Sequence, residues 1–150
     1  MRIVLQRVKE ASVKVEDEIV SKIGQGFLVL LGVEAEDTQE DIDWLCRKIA
    51  RLRIFSDENE AMNYSIQDID GEVIVVSQFT LHASTKKGNR PSFIKAAKPD
   101  VAIPLYENFL KTLEKELEKS VQSGVFGAMM DVSLINDGPV TITIDTKNKE

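Results

Sequence analysis

Hydrophobic and polar residues alternate loosely over Arg2–Val8, cleanly over Ala11–Val15, and again from Glu18 to Ile23 after the polar break Glu16-Asp17. A two-residue period sends successive side chains to opposite faces of a sheet, so the pattern predicts three short antiparallel strands. Gly24-Gln25-Gly26 supplies a turn, and Phe27–Val33 follows as an unbroken apolar run, the pattern of a central strand covered on both faces. The period then changes. Ile42, Leu45, Cys46, Ile49 and Leu52 fall three or four residues apart behind Asp37-Thr38-Gln39-Glu40, whose spacing is that of a capping box with Asp37 as the cap and Glu40 reaching back. A helix is expected there, with Trp44 beside its stripe as a packing or subunit-contact residue.

Arg53–Ser56 reads as a brief strand and residues 57–70 as an irregular polar stretch ending in the turn Asp70-Gly71. The next strand is Glu72–Ser77, and residues 82–91 form a loop. Pro99-Asp100 opens a second helix with Ala102, Leu105, Tyr106, Phe109, Leu113 and Leu117 on its apolar face. Gly124-Val125-Phe126-Gly127 is expected to reopen the sheet. Residues around Val132–Leu134 and Val140–Ile144 then read as two paired strands, and the tail 146–150 as frayed. The expected architecture is a single α+β domain spanning residues 1–150, with two helices packed on a largely antiparallel or barrel-like sheet.

Composition narrows the class. The chain has 150 residues, 43% hydrophobic and 29% charged, and its longest apolar run is far too short to span a bilayer, which predicts a soluble protein. The N-terminal residues enter a strand pattern at once, with no signal-like apolar region, so a cytoplasmic location is expected and no membrane partner. The single cysteine, Cys46, lies on the helical stripe and is expected as core filler. A net charge of −6 argues against a surface coated for nucleic acid, and no DNA partner is expected; it leaves room for a local cationic patch such as Lys86, Lys87 and Arg90 around Gly88.

The chemistry is expected where the apolar strand Val73–Val76 ends in Ser77-Gln78-Phe79-Thr80-Leu81, a cluster of hydroxyls, a side-chain amide and backbone amides suited to an oxyanion. The only histidine, His82, is expected at the surface. A small-ester hydrolase using Ser77 or Thr80 with His82 is one alternative, and a non-catalytic dimeric RNA-binding module is another. No zinc-ligand spacing and no GxxxxGK loop is present, so neither metal nor cofactor is expected. Asn136-Asp137-Gly138-Pro139 reads, on local chemistry, as a plain hairpin connection.

The segments Gln6-Arg7-Val8, Ser77–Leu81, Lys87–Phe93, Phe126-Gly127-Ala128 and Asn136–Thr141 together resemble, in order, those of the D-aminoacyl-tRNA deacylases, the D-tyrosyl-tRNA deacylase family. The resemblance covers nearly the whole chain. It implies hydrolysis of the ester of D-aminoacyl-tRNA, and of glycine mischarged on tRNA(Ala), by a homodimer. In that dimer a cis Gly138-Pro139 peptide enters the other subunit's pocket, its carbonyls grip the substrate amino group, and an L-oriented side chain finds no room. Arg7, Asn136 and Thr141 would support that motif. The same resemblance places the terminal adenosine against Ser77, Gln78, Phe79 and Met130, makes Ala102 part of the pocket wall, and assigns the oxyanion to the Phe79 amide. Gln78 and Thr80 complete the catalytic turn. Thr80 has no activating base in the sequence, so the RNA's own 2′-hydroxyl is the preferred aid to water, and Lys86, Lys87 and Arg90 are candidates for acceptor-stem phosphates.

Overall fold

The computed structural model describes residues 1–150. Its first element, β1 (Arg2–Val15), is one strand of 14 residues where the pattern predicts two. Ile3 and Leu5 point inward, then Arg7 and Val8 are buried consecutively, Lys9 and Glu10 are exposed consecutively, and Ala11 and Val13 point inward again. That double step is an irregularity inside the strand, marked by register shifts between Gln6 and Glu10 against β8. Such irregularities bend and twist a strand, and here the two halves of β1 face different partners. Arg2–Val8 pairs antiparallel with β3 (Gly26–Gly32), while Ala11–Val15 pairs antiparallel with β2 (Glu18–Ile23). Glu16 and Asp17, both at positive φ, make the tight connection to β2.

The two apolar runs supply the parallel part of the sheet. β3 pairs parallel with β6 (Glu72–Ser77), and β6 pairs parallel with β7 (Gln122–Ser123). Parallel neighbours need long crossovers, and these carry α1 (Gln39–Arg51) and α2 (Pro99–Leu117). On β3 and β6, Phe27, Val29, Leu31, Val73 and Val75 face the helices, whereas Leu28, Ile74 and Val76 join Val8, Ala11, Val13 and Ile23 in a second cluster. This is why both runs are apolar throughout. The expected central strand is therefore borne out. The β2 and β7 edges meet through Ser21 Oγ donating to Ser123 O at 2.8 Å and Lys22 N donating to Gln122 Oε1 at 2.9 Å, so a mixed sheet is nearly closed into a barrel. No helix is long and apolar enough to cross a membrane.

Several local expectations are corrected. The polar stretch after β4 (Phe55–Ser56) contains β5 (Met62–Tyr64), which pairs with it. Gly124–Gly127 does not reopen the sheet; β7 precedes it. The expected pair of C-terminal strands is a single 15-residue strand, β8 (Asp131–Asp145), running antiparallel along β1. Helix α1 starts one residue later than expected: Thr38 is the cap, and its amide donates to Asp41 Oδ2 at 2.9 Å. Asp37 instead accepts the Met1 ammonium at 2.6 Å and the Glu34 amide at 2.7 Å.

The tail is tied down as well. Thr146 is buried, its amide donates to Met1 O at 2.9 Å, and Lys147 Nζ donates to Asp41 Oδ2 at 2.9 Å. Burial raises the Asp41 carboxyl, but hydrogen bonds from Thr146, Thr38 and Lys147 outweigh it and hold the group well below the usual carboxylate range. Asp145 is lowered too, where burial is outweighed by the Lys147 amide and Arg2. A carboxyl depressed in the folded state contributes stability that is complete above the unfolded value near ~4 and is lost as pH falls through the folded value. Urea midpoints should therefore fall steeply below about pH 4, and Asp41→Asn should lower the neutral-pH midpoint while flattening that acid slope.

Candidate active site

The parallel strands β3 and β6 end side by side, and a crevice opens beyond their carboxyl ends. Leu31 and Ser77 are the last paired residues there. The Gln78 amide donates to Leu31 O at 2.8 Å, and the chain then turns through a short 3₁₀ segment, Phe79–His82. The first amides of such a turn have no acceptor within it, and Phe79 is the first. Its ring is half exposed and meets Phe93 edge-on at 5.1 Å.

Beside this turn lies a cleft of about 360 Å³, mostly apolar, to which Ser77, Gln78, Phe79, Ala102 and Met130 all contribute. Five predicted residues thus converge from β6, α2 and the segment before β8. The sequence did not single out Val33, Ala97, Tyr106 or Met129, which also line it. Met129 stands out only once folded, as a large apolar residue that is 91% exposed. Tyr106 donates to Val75 O at 3.1 Å, and burial pushes its phenol up, so it stays protonated at neutral pH. Thr80 is exposed outside the cleft lining and accepts a hydrogen bond from Gln78 Nε2. The Cys46 thiol is buried between the helices, donates to Phe109 O at 3.6 Å and is pushed far up by that burial, consistent with core filler.

Gly138-Pro139 is a cis peptide inside β8, and the hairpin expected there does not exist. Asn136 lies opposite Val8 and Thr141 opposite Gln6. Arg7, a buried residue of β1, donates to Asp137 O at 3.1 Å and to Ile54 O, and its guanidinium stands 5.9 Å from the Phe55 ring. Gly138 has φ +126°, and a Cβ there would stand 3.0 Å from Val140 Cγ2 and 3.1 Å from Arg7 Nη2. Neither Gly138 nor Pro139 lines the cleft of its own chain; Gly138 is exposed at the surface with Asp137 only partly covered beside it. Lys86, Lys87 and Arg90 are exposed on the loop after the 3₁₀ turn. A larger hollow of about 600 Å³ borders Trp44, Leu81 and Ile144 and contains none of the predicted site residues.

The family model described as D-Tyr-tRNA(Tyr) deacylase matches residues 4–145. The chain belongs to this family. It is 66% identical to the D-aminoacyl-tRNA deacylase of Flavobacterium johnsoniae and 63% identical to that of Bacteroides thetaiotaomicron, in each case over 100% of both chains. Among solved structures, the c-Myc DNA Unwinding Element Binding Protein is similar with a TM-score of 0.90 and 44% identity, covering 97% of this chain and 98% of that one. A probable eukaryotic D-amino acid tRNA deacylase shares the fold at 18% identity, with a TM-score of 0.83, covering 95% of this chain and 97% of that one. In this deacylase-family chain the one histidine departs from expectation: His82 is buried, with Nδ1 3.2 Å from Glu34 Oε1, and does not line the cleft.

Proposed function

We propose that the chain hydrolyses the ester linking a D-amino acid to tRNA, releasing the free D-amino acid and tRNA. The observation that carries this is the Ser77–Thr80 turn, with its leading Phe79 amide, set at an apolar cleft in a member of the deacylase family. Water adds to the ester carbonyl carbon, the negative charge gathers on the carbonyl oxygen facing the Phe79 amide, and collapse expels the ribose oxygen, which takes up a proton. The terminal adenosine lies against Ser77, Gln78, Phe79 and Met130, with Ala102 closing the wall. The RNA's own 2′-hydroxyl assists the water.

The cleft alone has nothing to read chirality. In our reading a homodimer brings the partner's Gly138-Pro139 carbonyls to the substrate amino group, with Arg7, Asn136 and Thr141 holding that segment. Glycine, which has no side chain to reject, passes the same filter, so glycyl-tRNA(Ala) is also cleaved. RNA rather than DNA is the partner in this reading, because only a ribose carries the 2′-hydroxyl that assists the water. Burial of His82 and its contact with Glu34 weigh against the small-ester hydrolase.

Matched D- and L-tyrosyl-tRNA test the reading directly. Loss of the D-ester alone supports it; binding of tRNA without cleavage of either ester would favour a non-catalytic module. Equal cleavage of both would sink the backbone filter. Thr80→Ala should keep most of the wild-type rate, since no base adjoins its hydroxyl, and a trapped acyl-Thr80 adduct would overturn that role. Replacing Lys86, Lys87 and Arg90 by Ala should weaken tRNA binding and reduce the slope of log affinity against log salt by up to about 2–3, roughly one for each phosphate no longer neutralised.

A further inference from the structure

His82 closes the turn that presents Phe79 and Thr80, yet its side chain is wholly buried and outside the cleft. Its Nδ1 is 3.2 Å from Glu34 Oε1, off the line of a well-formed hydrogen bond, and Nε2 has no hydrogen-bond partner. A side chain needed only to fill space would be apolar, because an imidazole with an unmatched nitrogen carries a desolvation penalty. What the ring touches suggests its use. Its Cδ2 sits 3.0 Å from where a Cβ on Gly32 would stand, so the ring is seated against the bare backbone at the end of β3. Glu34 lies just beyond, in a segment that forms an isolated bridge with Ala96, and Ala97 N donates to Val33 O at 2.9 Å. Val33, Ala97, Gln78 and Phe79 all line the cleft. His82, at the end of the turn, reaches both Gly32 and Glu34, the residues on either side of Val33.

We propose that His82 is a positioning residue for deacylation: wedged between Gly32 and Glu34, it sets the height of the Gln78–Leu81 turn, and so of the Phe79 amide, relative to the Val33–Ala97 wall. This rests on the deacylase reading above. An oxyanion donor works only within a few tenths of an ångström of its target, so a small displacement of the turn acts on the rate of the chemical step and leaves tRNA binding largely alone. The same displacement is reachable from the other side. A Cβ on Gly32 would press on His82 Cδ2 and Leu81 Cβ at 3.0 Å and on Gln78 O at 3.1 Å, pushing the turn outward together with the imidazole seated against that backbone.

The test is single-turnover deacylation of D-tyrosyl-tRNA by the full chain, with enzyme concentration varied to separate maximal rate from half-saturation. His82→Ala and Gly32→Ala should each lower the maximal rate about tenfold or more, with half-saturation unchanged to within about twofold. His82→Asn, whose amide can take up the contact with Glu34, should recover part of the loss. A wild-type maximal rate in His82→Ala overturns the proposal, as does a change confined to half-saturation, or an Asn variant no better than Ala. Should His82→Ala not fold, Gly32→Ala and Glu34→Gln decide, and wild-type rates in both overturn it. An inactive wild-type chain overturns the deacylase reading and the proposal together, whereas an active wild type beside an unaffected His82→Ala overturns the proposal alone.

Discussion

Gly138→Ala should lower the rate of D-tyrosyl-tRNA deacylation by about 100-fold, the order expected when reacting groups are misplaced by roughly an ångström. Two independent features of the position lead there. Its φ of +126° is a conformation that side chains on an L-residue resist, and an added Cβ would stand 3.0 Å from Val140 Cγ2 and 3.1 Å from Arg7 Nη2. The second contact matters more, because Arg7 is the residue that organises this stretch, through Asp137 O and Ile54 O. Relief of the clash has to move either the Gly138 backbone or the guanidinium, and in the proposed function the Gly138 and Pro139 carbonyls are the groups that grip the substrate. Discrimination should suffer with rate, so the D-to-L ratio falls too. The stability loss should stay near ~1–3 kcal/mol, the usual penalty for such backbone strain. The check is a pair of single-turnover rates with a urea midpoint on the same protein. A variant that keeps the wild-type D-to-L ratio would exclude this segment from stereochemical selection.

Phe109→Ala is expected to have the largest effect on stability, about 3–5 kcal/mol. Phe109 is fully buried on the inner face of α2, in the core cluster that joins Leu45, Cys46 and Ile49 of α1 to Val29 and Val75 of the sheet, and its backbone carbonyl accepts from the Cys46 thiol. Truncation strips away the ring's packing and leaves a cavity whose walls belong to three packed elements, which limits relaxation. A loss of that size is a large part of the ~5–15 kcal/mol that holds a typical domain together. The urea midpoint should fall with little change in slope. Because α2 also carries Ala102 and Tyr106 into the cleft, activity at higher temperature should fall in parallel with the folded fraction. A loss under about 1 kcal/mol would mean that the helix pair repacks freely around the gap.

Much of the candidate site was legible because its signals are local. An apolar strand ending in Ser77-Gln78-Phe79-Thr80 can be read from neighbouring residues, whereas Ala102 and Met130 were implied only by the family resemblance; the structure brings Ser77, Gln78, Phe79, Ala102 and Met130 to one cleft. Val33 and Ala97 were not legible. They reach the cleft through the hydrogen bond between Ala97 N and Val33 O and through the Glu34–Ala96 bridge, pairings with no signature in either segment alone. His82 was misplaced for a related reason. A lone histidine at the start of a loop suggests solvent, but the 3₁₀ turn folds it back against Gly32, and only the absence of a side chain there makes room.

The amino-acid pattern alone was enough for the two helices, for the apolar strands that became β3 and β6, and for the α+β class, because hydrophobic period is a property of adjacent residues. Where strands end was decided elsewhere. The broken alternation at Arg7–Glu10 looks like the end of a strand, yet pairing with β8 carries β1 through it. Asn136-Asp137-Gly138-Pro139 has the composition of a turn, yet β1 pairs with Asn136 before it and Thr141 after it, and Arg7 reaches across 130 positions of sequence to bond Asp137 O, so the segment stays within one strand. The polar tail looks free, yet Thr146 and Lys147 find Met1 and Asp41. In each case a local preference of order a kcal/mol or less yields to bonds with partners remote in the chain: strand pairing for β1, the Arg7 guanidinium for Asp137, and the N-terminus and Asp41 for the tail.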